Sequence, residues 1–97
     1  MHIISRKKLQ DFWQNHKNSE QALKAWFADT KHAQWDSPAV IKKNYSNASF
    51  LSNNRVVFNI KGNQYRLIVV VRYEFRLVYI RFIGAHQEYD KIDAKKI

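Results

Sequence analysis

His86 follows Gly84 at the point where a strand-like alternation stops, and Glu88, Tyr89 and Asp90 lie within four residues of it. An imidazole changes charge near neutral pH, so a histidine with carboxylates and a phenol close by can take a proton from one oxygen and give it to another. A histidine at a strand end also serves commonly as a cap or as plain surface, and the local spacing leaves both readings open. His2, His16 and His32 have weaker surroundings. His32 lies in an amphipathic stretch and His16 at a helix end, where a cation is favourable, and both are expected to be structural. The four histidines have no metal-ligand spacing and there are no cysteines. No Gly-rich phosphate loop, serine elbow or usefully spaced carboxylate pair is present. No metal and no cofactor are therefore expected, and any phosphate-ester chemistry has to work without them.

The second chemical signal is charge. Seventeen Lys and Arg against eight Asp and Glu give a formal net charge of +9, which points to a polyanionic partner, with nucleic acid first among the candidates. Between Arg55 and Arg81 there are six basic residues and one acid, Glu74. Alternation assigns these to faces. Val56, Phe58 and Ile60 share one side of a strand, and Val78, Ile80 and Phe82 share one side of another, so these are expected against the helices. The opposite sides carry Arg55, Asn59 and Lys61 on the first strand and Tyr79 and Arg81 on the other. Arg66 and Arg72 join them if Tyr65, Leu67, Val69 and Val71 point inward. Such a face is either an ordinary solvated surface or a phosphate-tracking one, with Tyr79 and Tyr89 available to stack on bases of single-stranded RNA.

The elements that position these residues change character near Asn44. Before it the period is helical: Ser5 is expected to cap a helix whose Leu9, Phe12 and Trp13 form one stripe ending at His16. Asn18 and Gln21 resemble a capping pair for a second helix in which Leu23, Trp26, Phe27 and Ala33 share a face. Asp36-Ser37-Pro38 predicts a short third helix to about Lys43, and His2-Ile3-Ile4 a short leading strand. After Asn44 the period is two. Arg55 to Ile60, Tyr65 to Arg72 and Leu77 to Ile83 read as strands. Gly62-Asn63 marks the first turn, and Tyr73-Glu74-Phe75 the second. The expected fold is α+β: a short N-terminal strand and two to three helices packed on a three- to four-stranded, mainly antiparallel sheet.

Length and composition set the bounds. Ninety-seven residues, 45% hydrophobic, suffice for one domain spanning 1–97 with a modest core. Without cysteines that core must hold by packing, which fits a reducing compartment. No apolar run reaches signal-peptide or membrane-span length, so a cytoplasmic protein with no membrane partner is expected.

Four segments together resemble the HigB family of toxins: residues 55–66 (RVVFNIKGNQYR), 79–93 (YIRFIGAHQEYDKID), 35–42 (WDSPAVIK) and 45–51 (YSNASFL). The similarity runs over nearly the whole chain in the expected order. Ala85 stands where the family usually has a threonine. The family belongs to the RelE-like group, whose compact α+β members cut mRNA, typically on the translating ribosome. The resemblance implies an mRNA interferase of a type II toxin-antitoxin system, a metal-free endoribonuclease whose RNA 2′-hydroxyl is the nucleophile. It implies Lys61 and Arg66 as phosphate-binding cations and His86 in proton transfer, with Tyr89 and Asp90 assisting. Arg55, Asn59, Arg72, Tyr79 and Arg81 are the expected RNA-binding residues. Implied partners are a HigA-like helix-turn-helix antitoxin, mRNA and the ribosome, and operator DNA only through the antitoxin complex. The alternative is a non-catalytic RNA-binding protein or antitoxin-dependent co-repressor using the same face.

Overall fold

A helical period in the first half of the chain and a period of two in the second make two layers, each with apolar surface that only the other can bury. In a computed structural model, residues 1–97 are all described. A short strand β1 (His2–Ile4) leads into α1 (Arg6–Asn15). A 3-10 turn at Lys17–Ser19 connects to α2 (Glu20–His32), and α3 (Pro38–Asn44) follows. Four more strands come next: β2 (Ser49–Leu51), β3 (Arg55–Ile60), β4 (Tyr65–Arg72) and β5 (Leu77–Ala85), with a single helical turn α4 (His86–Tyr89) after β5. The spatial order is β1-β5-β4-β3-β2. All pairs are antiparallel except β1 with β5. The expected α+β architecture is present, with one strand more than four. The additional strand is β2, three residues at the sheet edge, none of them fully buried.

The helices cover one face of this sheet. Leu9 and Trp13 of α1, Leu23 and Trp26 of α2 and Ile41 of α3 share a core with Val56, Phe58, Ile60, Leu67, Val69, Val71, Val78 and Ile80. Tyr65 and Trp35 are buried with them. Phe58 is the centre of an aromatic group: its ring lies 5.5 Å from Trp26, 5.8 Å from Trp35 and 5.1 Å from Tyr45, measured between centroids. Edge-to-face and offset rings add to area burial, which makes Phe58 the anchor between helix layer and sheet.

Three sequence expectations are corrected here. Ser5 makes no side-chain cap; at φ 76° it turns the chain from β1 into α1, and its carbonyl accepts from Lys8 N–H at 3.0 Å. Asn18 and Gln21 do not cap α2, which begins at Glu20. The 3-10 turn moves Asn18 off the helix start, where its side chain meets Tyr65 and Gln64 instead. Phe82 does not face the helices. The β4–β5 register shifts between Ile68 and Val69, so that Val69 pairs with Ile80 but Ile68 pairs with Phe82. Arg81 is the extra residue, and beyond it the alternation of β5 is inverted, with Ile83 against the core and Phe82 on the opposite face.

Replacing Phe58 by alanine removes the shared ring from a site that cannot collapse fully, and should cost about 3–5 kcal/mol, read from the urea midpoint. A second expectation concerns pH. Burial pushes the Tyr45 phenol above the usual tyrosine range, reinforced by the Asp29 carboxylate, to which its hydroxyl donates at 3.1 Å. The folded state therefore keeps this proton more tightly than the unfolded chain. Its contribution to stability is complete below about pH 10 and declines as pH rises toward the folded value. In Tyr45→Phe the alkaline loss of unfolding free energy should be shallower than in the wild type.

Candidate functional site

The face turned away from the helices is built by the other half of the same alternation. It carries Arg55, Val57 and Asn59 of β3 and Arg66, Ile68, Val70 and Arg72 of β4; Tyr79, Phe82 and Gly84 of β5 lie opposite them. Val57, Ile68 and Val70 are buried although they are outside the main core. The chain after α4 returns to this side: Arg55 donates to the Ile97 carbonyl from Nε at 3.1 Å and Nη2 at 2.6 Å. Its Nη1 donates to Asn53 O at 3.1 Å, so this guanidinium fastens the C-terminal segment and the β2–β3 turn to the sheet.

At one end of the face the β3–β4 hairpin meets the end of β5. Ile60 pairs with Tyr65 and Tyr65 with Ala85, and His86 N–H donates to Gln64 O at 3.3 Å, which carries the ladder one residue past the strand. Lys61 and Gly62 make the turn with φ values of 51° and 64°; Lys61 is exposed on it. Arg66 lies between Asn59 and Gly84 in the ladder. Its Nη1 donates to Asn63 Oδ1 at 2.6 Å and its guanidinium carbon is 5.8 Å from the Tyr89 ring centroid, a cation–π distance. His86 opens α4, with Nδ1 3.3 Å from Asp90 Oδ2. Both side chains are about half exposed, at 47% and 61%, so Asp90 holds one ring nitrogen while Nε2 is left for an incoming group. The Glu88 carboxylate accepts from Ala85 N–H at 3.0 Å and fixes the start of this turn. Glu88 is thus a cap, and Asp90 is the carboxylate beside the imidazole.

Arg72 lies six residues along β4 from Arg66, about 20 Å at ~3.3 Å per residue. Arg55, Arg72, Tyr79 and Arg81 surround a shallow depression of ≈ 320 Å³ with Val70 beneath it. The expected residues thus fall into two groups on one surface. Lys61, Arg66, His86, Tyr89, Asp90 and Asn59 belong to the hairpin end, and the three arginines with Tyr79 to the middle of the sheet. The only side-chain ion pairs in the chain are Lys24–Glu20, Arg76–Asp36 and His86–Asp90. Lys61, Arg66, Arg72 and Arg81 have no carboxylate partner.

Sequence reasoning missed Asn63, which steadies Arg66, and Asn18, whose Oδ1 accepts from the Tyr65 hydroxyl at 2.5 Å. Proximity in the turn could have suggested Asn63; nothing local points from Asn18 to a residue 47 positions on. It also missed why residue 84 is glycine. A Cβ there would lie 2.6 Å from Phe82 Cζ, because the inverted end of β5 lays the Phe82 ring over Gly84 on the cationic face.

A small basic domain with helices packed on one face of a five-stranded, mainly antiparallel sheet is consistent with the class of RelE-like toxins. Comparison with known proteins agrees: the family described as HigB_toxin, RelE-like toxic component of a toxin-antitoxin system, matches residues 19–92. The mRNA interferase toxin HigB of Escherichia coli (strain K12) is 31% identical over 93 residues, covering 93% of this chain and 88% of its own length. The mRNA interferase HigB of Shigella flexneri matches with the same identity and coverage. That of Escherichia coli O6:H1 (strain CFT073) is 26% identical over 94 residues, covering 95% of this chain and 91% of its own. The chain belongs to the HigB toxin family.

Gly84→Ala should force the Phe82 ring aside and cost roughly 1–3 kcal/mol, the usual range for overpacking. Phe82→Leu in the same chain should recover much of that loss. The two effects are compared in a double-mutant cycle of urea unfolding; strict additivity would rule out the ring contact as the cause.

Proposed function

We propose that this chain is an endoribonuclease that cuts mRNA, the activity named for its relatives. The observation that carries this reading is the rim where His86, braced by Asp90, stands on the turn that presents Tyr89 to an Arg66 free of any carboxylate. RNA brings its own nucleophile, so the protein has to move protons and stabilise charge. His86 Nε2 takes the 2′-hydroxyl proton, and the 2′-oxygen bonds to phosphorus. The bond from phosphorus to the 5′-oxygen breaks, and that oxygen takes a proton from water, to which His86 gives up the proton it received. The products are a 2′,3′-cyclic phosphate and a 5′-hydroxyl. Asp90 orients the imidazole through its contact with Nδ1. Arg66 and Lys61 meet the charge on the phosphorane oxygens. Tyr89 flanks the reacting nucleotide, and Arg72, Arg81 and Tyr79 hold the strand further along the sheet. Arg55 contributes by fixing the surface, since its own donors are engaged.

The setting we propose is the translating ribosome in the cytoplasm; no helix is long and apolar enough to cross a membrane. A HigA-like helix-turn-helix antitoxin is the neutralising partner, with an acidic segment drawn to a chain of net charge +9. Operator DNA is reached only through that complex.

The test is growth arrest on induction, together with mapping of new mRNA 5′ ends in cells and with purified ribosomes. The wild type should give both, with cyclic phosphate termini. His86→Ala should give neither. Arg66→Ala should slow cleavage roughly 10²- to 10³-fold, by analogy with loss of one oxyanion donor. Unchanged cleavage in His86→Ala would remove the histidine from the mechanism, and binding of RNA without any new ends would favour a non-catalytic role.

A further inference from the structure

Behind His86, on the side of the 3-10 turn that precedes α2, lies a second depression of ≈ 400 Å³. Four of its lining residues are carboxamides, Asn18, Asn63, Gln64 and Gln87, with Tyr65 and His86 beside them. Apart from the imidazole no ionisable group of the charged kind lines it: no lysine, arginine, aspartate or glutamate. The arginine-lined depression on the same sheet is the opposite case. A pocket for a phosphate group calls for cations and a pocket for a metal calls for carboxylates. A neutral pocket of planar amides next to a cationic track suits a neutral, planar, hydrogen-bonding group attached to a polyanion. A nucleobase has that chemistry, and side-chain amides are among the groups that read base edges.

The hydrogen bonds already formed decide which amide atoms remain. Arg66 can only donate, so Asn63 Oδ1 is its acceptor at 2.6 Å and the Asn63 NH2 group is left over. Gln64 Oε1 accepts from Asn18 Nδ2 at 3.3 Å, which leaves the Gln64 NH2 group without a partner in the chain. Asn18 is itself held by the Tyr65 hydroxyl at 2.5 Å. Gln87 is exposed on the turn next to His86. The pocket is therefore orientated from within and rich in unused donors.

We propose that this depression is a base-reading subsite: it takes the base of a nucleotide adjoining the scissile phosphate and selects for an edge that presents acceptors, such as O6 and N7 of guanine. The proposal rests on the RNA-cutting function above and adds to it the residues that set sequence preference, Asn63, Gln64 and Gln87, with Asn18 as a positioning residue.

Side-chain NH2 groups have their own nitrogen–proton NMR signals, so the subsite can be observed without cleavage. The probes are a 2′-O-methyl RNA tetranucleotide containing guanine, which lacks the attacking hydroxyl, and the same tetranucleotide made abasic at the guanine position. The guanine probe should move the NH2 signals of Asn63, Gln64 and Gln87 and bind about 10-fold more tightly or better than the abasic one. The double variant Gln64→Ala, Gln87→Ala, altered only at exposed positions, should lose that difference. Equal shifts and equal affinity for the two probes, or NH2 signals that move with neither, would overturn the proposal. The mRNA-cutting function stands or falls separately, on new 5′ ends from the wild type. Where those ends appear, the base enrichment beside them should flatten in the double variant; an enrichment identical to the wild type would also overturn the subsite.

Discussion

β5 has one residue more than β4 can pair, and the surface of this protein depends on where that residue sits. Arg81 takes up the surplus, so everything after it on β5 is turned over relative to what precedes it. Ile83 and Ala85 then pack toward the helices, while Phe82 and Gly84 fall on the cationic side. The ladder contact from His86 N–H to Gln64 O continues that inverted alternation to the histidine. Bulges of this kind disturb pairing locally and re-aim side chains beside functional sites. Here the consequence is compound. Glycine at residue 84 leaves room for the ring of Phe82, which lies where a Cβ would be and would have to move aside for any other residue. With no side chain at 84, the Arg66 position opposite it is bordered by an aromatic ring instead of a second chain substituent. One inserted residue thus links the apolar patch, the arginine and the imidazole.

The same face concentrates like charge without internal compensation. Four cations, Lys61, Arg66, Arg72 and Arg81, have no carboxylate partner, whereas the three side-chain ion pairs of the chain all lie elsewhere or involve the imidazole and Arg55 is engaged by the Ile97 oxygen. Self-repulsion of this kind weakens a compact state. It is tolerated because the helix side of the sheet is continuous core and because the cationic side has its own buried floor of Val57, Ile68 and Val70. That floor limits water beneath the guanidinium groups, where their field is less attenuated than on a fully wetted surface. Neutralised phosphates would release counterions, and the chain would lose its repulsion at the same moment.

Much of this was legible from residue order. Alternation correctly separated Val56, Phe58 and Ile60 from Arg55 and Asn59, and Leu67, Val69 and Val71 from Arg66 and Arg72, because β3 and β4 pair without a break. It failed at Phe82, since nothing about Ile80, Arg81 and Phe82 as residue types announces an extra position; the bulge is a property of the pairing with β4. Helix positions were readable from Leu9, Trp13, Leu23 and Trp26. Helix starts were less so: Ser5 and Asn18 have the side chains of caps, but tertiary demands use them otherwise. Ser5 reverses the chain direction between β1 and α1, and Asn18 binds Tyr65 across the fold. His86 was visible as a titratable group near carboxylates. That Asp90 faces the ring while Glu88 caps the turn depends on the one-turn helix, which four residues of sequence do not reveal.

Within the proposed reaction, the two cations of the hairpin end are not equivalent. Lys61 stands on the turn itself, exposed and with no side-chain hydrogen bond to the chain, so its ammonium group must lose rotamer freedom whenever it meets a phosphate. Arg66 is held from two directions, by the Asn63 side-chain Oδ1 and by the face of Tyr89, and its strand position is fixed by pairing on both sides. Electrostatic stabilisation of a developing charge is most effective when the donor needs no rearrangement as the charge forms. A guanidinium already orientated, with donors beyond the one given to Asn63, meets that condition better than a mobile ammonium group. Arg66 is therefore suited to the phosphorane oxygens and Lys61 to the initial attraction of the strand, a division that follows from how each is held and not from its charge.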